Sequence, residues 1–600
     1  MGSPITVPPS RPCAAGRIAR REAGLADPSW WWWVPMALTR FARVVRVSFA
    51  RLPLLGDGRY LPAAPVHNVR DLWPGNTTAG ARLARGSLTW AGYTHPVGPG
   101  QWDDPAFEPA FREGLLSFRW LRDLRAVGTD AARLKARALV DDWLHHPSQS
   151  PMALECGVIG ARVAAWLGHY DFFAASASDA FRQRLMARIL VEGRMIAALM
   201  PPEQPGWQGL AALKGLLAVA VAMPEYTGFL TRYRRYIDNV VESQVLPDGW
   251  HIERSPEVQL RALRELAEMR AMMQAVQHAL PHSVALALDK MSPVLRAMRH
   301  GDGGLALFNG SHERSAALID MVLSQATRTR VVASVMPDGG FVRMQAVRSL
   351  LLVDAGIPAP APFDHNAHAG TLSFEFSCAR QRLIVNCGGG VLPAWKDALR
   401  QTAAHAVVTV EGMSSAEFGE DGTVRRRPTH VGVEHAVAEG AHWLNLSHDG
   451  YHASAGATYY RRLYLSADGE VLRGEETLEG ERELAFALRL HLHPSVTAVD
   501  ALDGSILLSA GEQHWRFRAE GGVVSIEESV YSGGQVPCRT LQLVVQVEPA
   551  ARMAEGGQEA GVEPAAPPPQ GSTPLGDVPP GKIRQVVRWG LKREKLLLLT

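Results

Sequence analysis

The sequence predicts an α+β, multidomain chain in which an array of α/α hairpins precedes an antiparallel β-sandwich. From about Phe111 to Met298, apolar residues recur at three- and four-residue steps, the spacing that lines one face of a helix. Short loops rich in Pro and Gly separate these stretches, as in helical hairpin arrays. Beyond about Gly301 the period drops to two, and short runs of branched and aromatic residues alternate with DG and GG turns up to about Pro549.

Size and charge bound the rest. Six hundred residues, 46% of them hydrophobic, can bury more than one core. A formal net charge of +2 gives no global pull toward nucleic acid, so no nucleic-acid partner is expected. No apolar run reaches the roughly eighteen residues that span a bilayer. The cysteines, Cys13, Cys156, Cys378, Cys387 and Cys538, form no CxxC pair and read as free thiols, although Cys378 and Cys387 sit in adjacent predicted strands.

In chain order, residues 1–55 form a basic, aromatic segment. Arg17, Arg20 and Arg21 precede Trp30 to Trp33, and Trp33 to Leu55 has the texture of a basic amphipathic helix. Residues 56–300 make the helical domain. Its first part, to about 112, reads as loops laid over the surface. Eight helices then follow, over 111–128, 131–145, 152–166, 178–200, 210–223, 229–246, 258–279 and 284–298. Residues 301–548 make the sandwich. In LAFALRLHLHP, for example, Phe486, Leu488, Leu490 and Leu492 face one way and Arg489, His491 and His493 the other. Residues 549–581, rich in Pro, Gly and Glu, read as a disordered linker. The tail, 582–600, is basic and then apolar. It reads as a short helix docking on the body, with weak contact to a membrane surface as the alternative.

Two stretches carry candidate chemistry. DHNAHAGTLSFEFSCARQRLIVNCGGG begins at Asp364 and leads, after a linker, to RQTAAHAVVTV. Leu372, Phe374, Phe376 and Cys378 alternate with polar residues, as in a strand with one buried face, and 383–387 and 406–410 read as two more strands. His365, His368 and His405 stand at the strand entrances. Imidazoles converging at one end of a sheet make a metal site or an acid–base site, whereas loop histidines simply facing solvent make neither. The second stretch, PDGWHIERSPEVQL from Pro247 to Leu260, lies in a turn between helices, with Ser255 as N-cap and Pro256 in the first turn. Its polar residues are either a site or a solvated, capped turn.

Both stretches resemble the heparinase II/III-like polysaccharide lyases. In that family the first stretch reads HxHAD-x-LSFE, followed by Asp-x-Gly and then by aHNtv. His368 and His405 fall on histidines of this pattern, while Asn366 replaces its first histidine, Gly370 the Asp of HAD, and Asn386 the Asp that helps hold zinc in some members. The second stretch resembles DGxHxExSPxYH. Asp248, Gly249, His251, Glu253, Ser255 and Pro256 match, but Val258 stands on the proton-shuttling tyrosine and Gln259 on the following histidine. The family's Asn-His pair should fall near 207–211, where this chain reads WQGLA.

The resemblance implies an incomplete (α/α) toroid for the helical part. It also implies β-elimination on uronic-acid glycans, with an acidic polysaccharide or oligosaccharide as partner and the cell envelope as the place of work. Elimination needs a neutralised carboxylate, a base for the adjacent proton and an acid for the leaving oxygen. The candidates are His251 as base and Arg254 as carboxylate neutraliser, with Glu253 and His368 sharing the proton work. Asn366, Trp207 and Trp250 are the substrate-binding candidates. A zinc site would draw on His368, His405 and Asn386, with His491 or His493 as a substitute ligand. Two other functions stay open. One is an inactive glycan-binding relative. The other is a toroid glycoside hydrolase using Glu253 with Asp248 or Asp302.

Overall fold

The computed structural model describes residues 45–50, 61–202, 206–390, 393–534, 536–549 and 580–594. Most of the expected N-terminal segment, and residues 550–579 of the expected linker, lie outside the described residues. Residues 45–50 are helical, and Val47 and Ala50 pack on the helical core.

The helical unit runs α1 (Thr77–Ala84), α2 (Pro109–Leu116), α3 (Leu121–Val127), α4 (Asp130–His145), α5 (Cys156–Gly168), α6 (Asp179–Leu199), α7 (Trp207–Ala222), α8 (Gly228–Glu242), α9 (Pro256–Ala275), α10 (His282–Ala297) and α11 (Ala316–Ala326). Side-chain caps set several starts: Thr129, Ser178 and Ser315 each accept from the backbone N–H three residues on. Helix α7, WQGLAALKGLLAVAVA, is apolar nearly all round and therefore central, packing on α5, α6, α8 and α9. A side chain at Gly215 would meet the backbone of Gly160 at 2.4 Å, so glycine lets α7 and α5 touch.

Three segments differ from the sequence reading. The single helix expected over 111–128 breaks at Phe118, whose φ of 56° turns its ring among Trp102, Trp143 and Trp166. That aromatic cluster outweighs helical continuity. The expected surface loops before 112 hold α1, capped by Asn76, and a hairpin of β1 (Ser87–Trp90) with β2 (Tyr93–Pro96). The strands expected soon after Gly301 begin only at Phe341, because AALIDMVLSQA forms α11, packed on α9 and α10.

The β unit contains β3 (Phe341–Ala346), β4 (Ser349–Asp354), β5 (Phe374–Cys378), β6 (Gln381–Ile384), β7 (Val408–Val410), β8 (Glu417–Phe418), β9 (Val424–Arg426), β10 (Val431–Ala438), β11 (Ala441–His448), β12 (Thr458–Leu465), β13 (Val471–Gly480), β14 (Phe486–His491), β15 (Thr497–Asp500), β16 (Ile506–Ala510), β17 (Gln513–Glu520), β18 (Val523–Tyr531), β19 (Cys538–Val547) and β20 (Ile583–Glu594). Helix α12 (Pro393–Arg400) lies between β6 and β7. One layer is an eight-stranded sheet ordered β10-β11-β12-β13-β20-β17-β16-β15. The other consists of two four-stranded sheets, β3-β4-β5-β6 and β18-β19-β14-β7, joined where Ile384 bridges Leu492 and the Val385 N–H donates to the His491 carbonyl at 2.9 Å. All strand pairs are antiparallel among the described residues. Across the core Phe374 stacks on Trp589 and Phe376 meets Trp515 edge-on.

The tail corrects the sequence reading. Instead of a docked helix, Ile583–Glu594 is a strand in the middle of the large sheet, between β13 and β17. Val587, Trp589 and Leu591 are fully buried, alternating with Arg588, Gly590 and Lys592. Residues 595–600 lie outside the described residues. β5 also departs from the expectation of one buried face, being buried on both. Phe374 and Phe376 face the sandwich core, while Glu375 and Ser377 receive the His300 ring from the helical side. β7 belongs with β14, not beside β5 and β6.

Candidate functional site

The two sequence stretches meet at the junction of the helical and β units. Asn366 Nδ2 donates to Glu253 Oε2 at 2.7 Å. Asn309, in the turn between α10 and α11, ties the two sides together. Its Nδ2 donates to the Arg254 carbonyl at 2.9 Å, and its Oδ1 accepts from the His368 N–H at 3.2 Å. Asn309 has φ of 48°, a left-handed conformation that asparagine tolerates, and Gly310 follows it. Sequence reasoning missed Asn309, although the NGS turn was its visible signal.

On the helical side, the α8–α9 turn folds against itself. His251 is buried, and both ring nitrogens are engaged: Nε2–H donates to Gln244 Oε1 at 3.2 Å, and Nδ1 accepts from the Glu253 N–H at 3.2 Å. Burial lowers its pKa, so the ring is neutral. Gln259, where the resemblance expects histidine, accepts from the His251 N–H at 2.7 Å and donates to the Gly249 and Met291 carbonyls. Val258, in the family's tyrosine position, is buried.

Arg254 takes a left-handed φ of 54° and turns away into the β unit. Its guanidinium donates to the carbonyls of Gly339 (2.7 Å), Ile357 (2.8 Å) and Gly340 (3.3 Å), pairs with the buried Asp354 carboxylate, and lies over the Phe341 ring. It is a clamp between the two units, with no free fork for a substrate carboxylate. Trp250 corrects the sequence reading in the same way. Fully buried and stacked on Phe341 at 4.5 Å, it leaves no face for a sugar ring. Trp207 is half-buried at the start of α7, with the Arg119 guanidinium 5.0 Å over its ring. Arg119 Nη2 is buried without a hydrogen-bond partner.

On the β side, the Gln401 carbonyl accepts from His405 Nδ1–H at 2.9 Å, which leaves His405 Nε2 as an acceptor. His368 Nδ1, 3.1 Å away, must then be the donor, and the His368 Nε2 lone pair is left facing Gly310 and Asn366. Burial holds the His405 pKa down to about 4 and, with His405 beside it, lowers that of His368 well below the usual imidazole range. Gly370 has a specific purpose here. A Cβ at 370 would come within 2.7 Å of His405 Cδ2, so the Asp of the family pattern would displace the very ring that closes on His368. Helix α12 supplies exposed Trp395 and Lys396 near this pair, while buried Arg400 is spent on the Ala367, Gly422 and Asp364 carbonyls.

The donors do not fit zinc. Asn386 Oδ1 accepts from the Ala406 N–H at 3.1 Å, and its Nδ2 faces Glu375. His405 Nε2 is taken by His368. His491 is bonded to Ser529 and the Ala403 carbonyl, and His493 to Ser495 and Glu313. Among the described residues no group of three His, Cys, Asp or Glu is placed to hold a metal. The carboxylate pair of a hydrolase is not assembled either. Asp248 caps the Trp250 and Gly339 N–H groups, and Asp302 is paired with Arg382.

An incomplete toroid closed by an antiparallel sandwich, with histidines and a glutamate at the junction, defines the polysaccharide-lyase class of fold. The comparisons agree. The heparinase II/III-like C-terminal domain model matches residues 328–564. FtsZ-localized protein C of Caulobacter vibrioides (strain NA1000 / CB15N) is 30% identical over 528 residues, covering 82% of this chain and 88% of that protein. A crystal structure of heparinase III superposes with a TM-score of 0.64 at 11% identity, over 92% of this chain and 89% of that one. Heparan sulfate lyase HepC from Pedobacter heparinus gives 0.55 at 14% identity, over 93% and 88%. The chain belongs to the heparinase II/III-like family.

Proposed function

We propose that this protein binds an acidic glycan at the junction of its two units and does not cleave it. One observation carries the reading: the groups on the helical side that would perform elimination are consumed by the fold. His251 has both nitrogens engaged, Arg254 is spent on Asp354 and three carbonyls, and buried Val258 replaces the proton-shuttling tyrosine. With Arg254 spent, the residue assigned to neutralise a uronate carboxylate is not free to do so, and the adjacent proton stays too weakly acidic to remove. The surroundings suit binding. Trp207 and Trp395 offer aromatic faces, Arg119 and Lys396 offer positive charge, and Glu253 with Asn366 offers hydrogen-bonding groups for sugar hydroxyls.

A second reading is kept because His368 Nε2 is an open acceptor backed by His405 and Gln401, as a general base would be. Incubation with uronic-acid polymers separates the two. The binding reading expects no unsaturated product, while steady growth of product absorbance favours the His368 reading.

The kinship with FtsZ-localized protein C supports placing this protein at the FtsZ assembly, where its glycan would be a cell-envelope polymer. A fluorescent fusion that fails to coincide with FtsZ in dividing cells would remove that part of the proposal.

A further inference from the structure

A cavity of about 390 Å³ lies away from the junction site, at the far end of β5. His368 precedes the first residues of β5, whereas Ala379, in the turn after β5, lines this cavity. The wall comes from three places: the end of α10 and the turn after it (Arg296, Arg299), strand β3 (Arg343) and the β3–β4 turn (Arg348). No carboxylate is among the lining residues.

The four arginines are unevenly satisfied. Arg299 is paired, its Nη1 donating to Asp320 at 2.7 Å and its Nε to the Gly303 carbonyl. Among the described residues Arg296 has only a 3.5 Å contact to the Val331 carbonyl, and burial, with the charges of Arg299 and Arg330, lowers its pKa against the opposing pull of Asp320. Arg343 donates through Nη2 to Gln345, but its Nε is buried without a partner, and burial alone lowers its pKa. Arg348 is exposed and makes no side-chain hydrogen bond or ion pair among the described residues. Asp320 offsets Arg299 and part of the charge of Arg296, whereas Arg343, with its orphaned buried N–H, and Arg348 have no paired acid among the described residues. Guanidinium forks match tetrahedral oxyanions, which take two parallel N–H bonds. The volume lies within the range of small-ligand sites.

We infer that this cavity is a second ligand site, taking a phosphoryl group or a similar tetrahedral oxyanion held by Arg296, Arg343 and Arg348. The oxyanion is either soluble or the headgroup of an anionic lipid. The site stands independently of the glycan reading, since it shares none of the residues assigned to the junction.

The test titrates inorganic phosphate into the full chain by calorimetry at constant ionic strength. The wild-type protein should show saturable binding. The Arg343→Gln/Arg348→Gln variant should bind at least about tenfold more weakly, as expected for the loss of charged hydrogen bonds. Arg234→Gln, on the exposed face of α8, should leave binding unchanged, and matching unfolding curves confirm that each variant is folded. Co-sedimentation with phosphatidylglycerol vesicles, against phosphatidylcholine alone, identifies the source. Sedimentation that needs Arg343 and Arg348 and is competed by phosphate assigns a lipid headgroup. Phosphate binding without such sedimentation assigns a soluble ligand. Absence of saturable phosphate binding, or equal binding by the double variant, overturns the inference.

Discussion

His368 Nδ1 and His405 Nε2 lie 3.1 Å apart, and the Gln401 carbonyl behind His405 decides which of them donates. The chain Gln401–His405–His368 thus ends in one acceptor nitrogen at the junction of the two units. Gly370 makes the close approach possible. Gly370→Asp, which restores the family's residue, should push His405 away and break the pair. The outcome to look for is loss of the shared-proton signal of the two imidazoles in NMR spectra and a destabilisation of about 1–3 kcal/mol from overpacking. An unchanged pair would mean that Gly370 does not control the ring.

The buried imidazoles make stability depend on pH. Burial lowers the pKa of His405 and His448 to about 4 and of His491 to about 3. In the unfolded chain these groups take up protons near pH 6.5, whereas the folded protein keeps them neutral to much lower pH. Their contribution is therefore complete above about pH 6.5 and is lost as pH falls toward about 4, on the order of 3 kcal/mol for each group. Urea unfolding at pH 7 and pH 4.5 should show the fall, and His405→Gln should flatten it. A stability profile that is level over this window contradicts the assignment.

Arg254 is the clamp between the two units. Arg254→Ala leaves the Asp354 carboxylate buried and unpaired and should destabilise the protein by about 3–5 kcal/mol. Arg254→Lys should not restore it, because an ammonium cannot reach Asp354 and three carbonyls in the fork geometry. Full rescue by lysine would show that charge alone suffices.

Strand β20 holds the large sheet together. Removing residues 582–600 would separate β13 from β17 and expose two strand edges. The truncated chain should aggregate. Trp589→Ala, which empties the space against Gly474 and Phe374, should cost about 3–5 kcal/mol. A soluble, cooperatively folded truncation would contradict the strand's central place.

Much of the architecture was legible because periodicity reports burial. α4, α6, α8 and α9 follow the apolar spacing, and β14 follows the alternation of Phe486, Leu488 and Leu490. β20 carried the same alternation in Val587, Trp589 and Leu591, but its four basic residues and the apolar letters that follow outweighed it in a reading without partners. Its neighbours, β13 and β17, lie more than sixty residues away, which local spacing does not reveal. The site was half legible. Motif positions brought Glu253, Asn366, His368 and His405 to attention. They did not show that Arg254 adopts a left-handed backbone and points into the other unit, that Trp250 is sealed by Phe341, or that Gln244 occupies His251. Those facts depend on contacts between segments about a hundred residues apart, or on hydrogen-bond direction, and neither has a sequence period.

Glu253 places a carboxylate at the proposed glycan site. Glu253→Gln keeps the hydrogen-bonding geometry toward Asn366 and removes one negative charge. An acidic oligosaccharide should then bind a few-fold more tightly by calorimetry, and more so at low salt. Weaker binding would mean that the carboxylate accepts from sugar hydroxyls strongly enough to outweigh repulsion.

The most direct measurement is the fate of the ligand. A uronic-acid oligosaccharide of defined length is titrated into the wild-type protein by calorimetry, left for many hours, and recovered for mass spectrometry. The account predicts a saturable binding isotherm and a recovered ligand of unchanged mass. Recovery of shorter chains carrying an unsaturated uronate, abolished by His368→Ala, would contradict it and establish elimination at the His368–His405 pair.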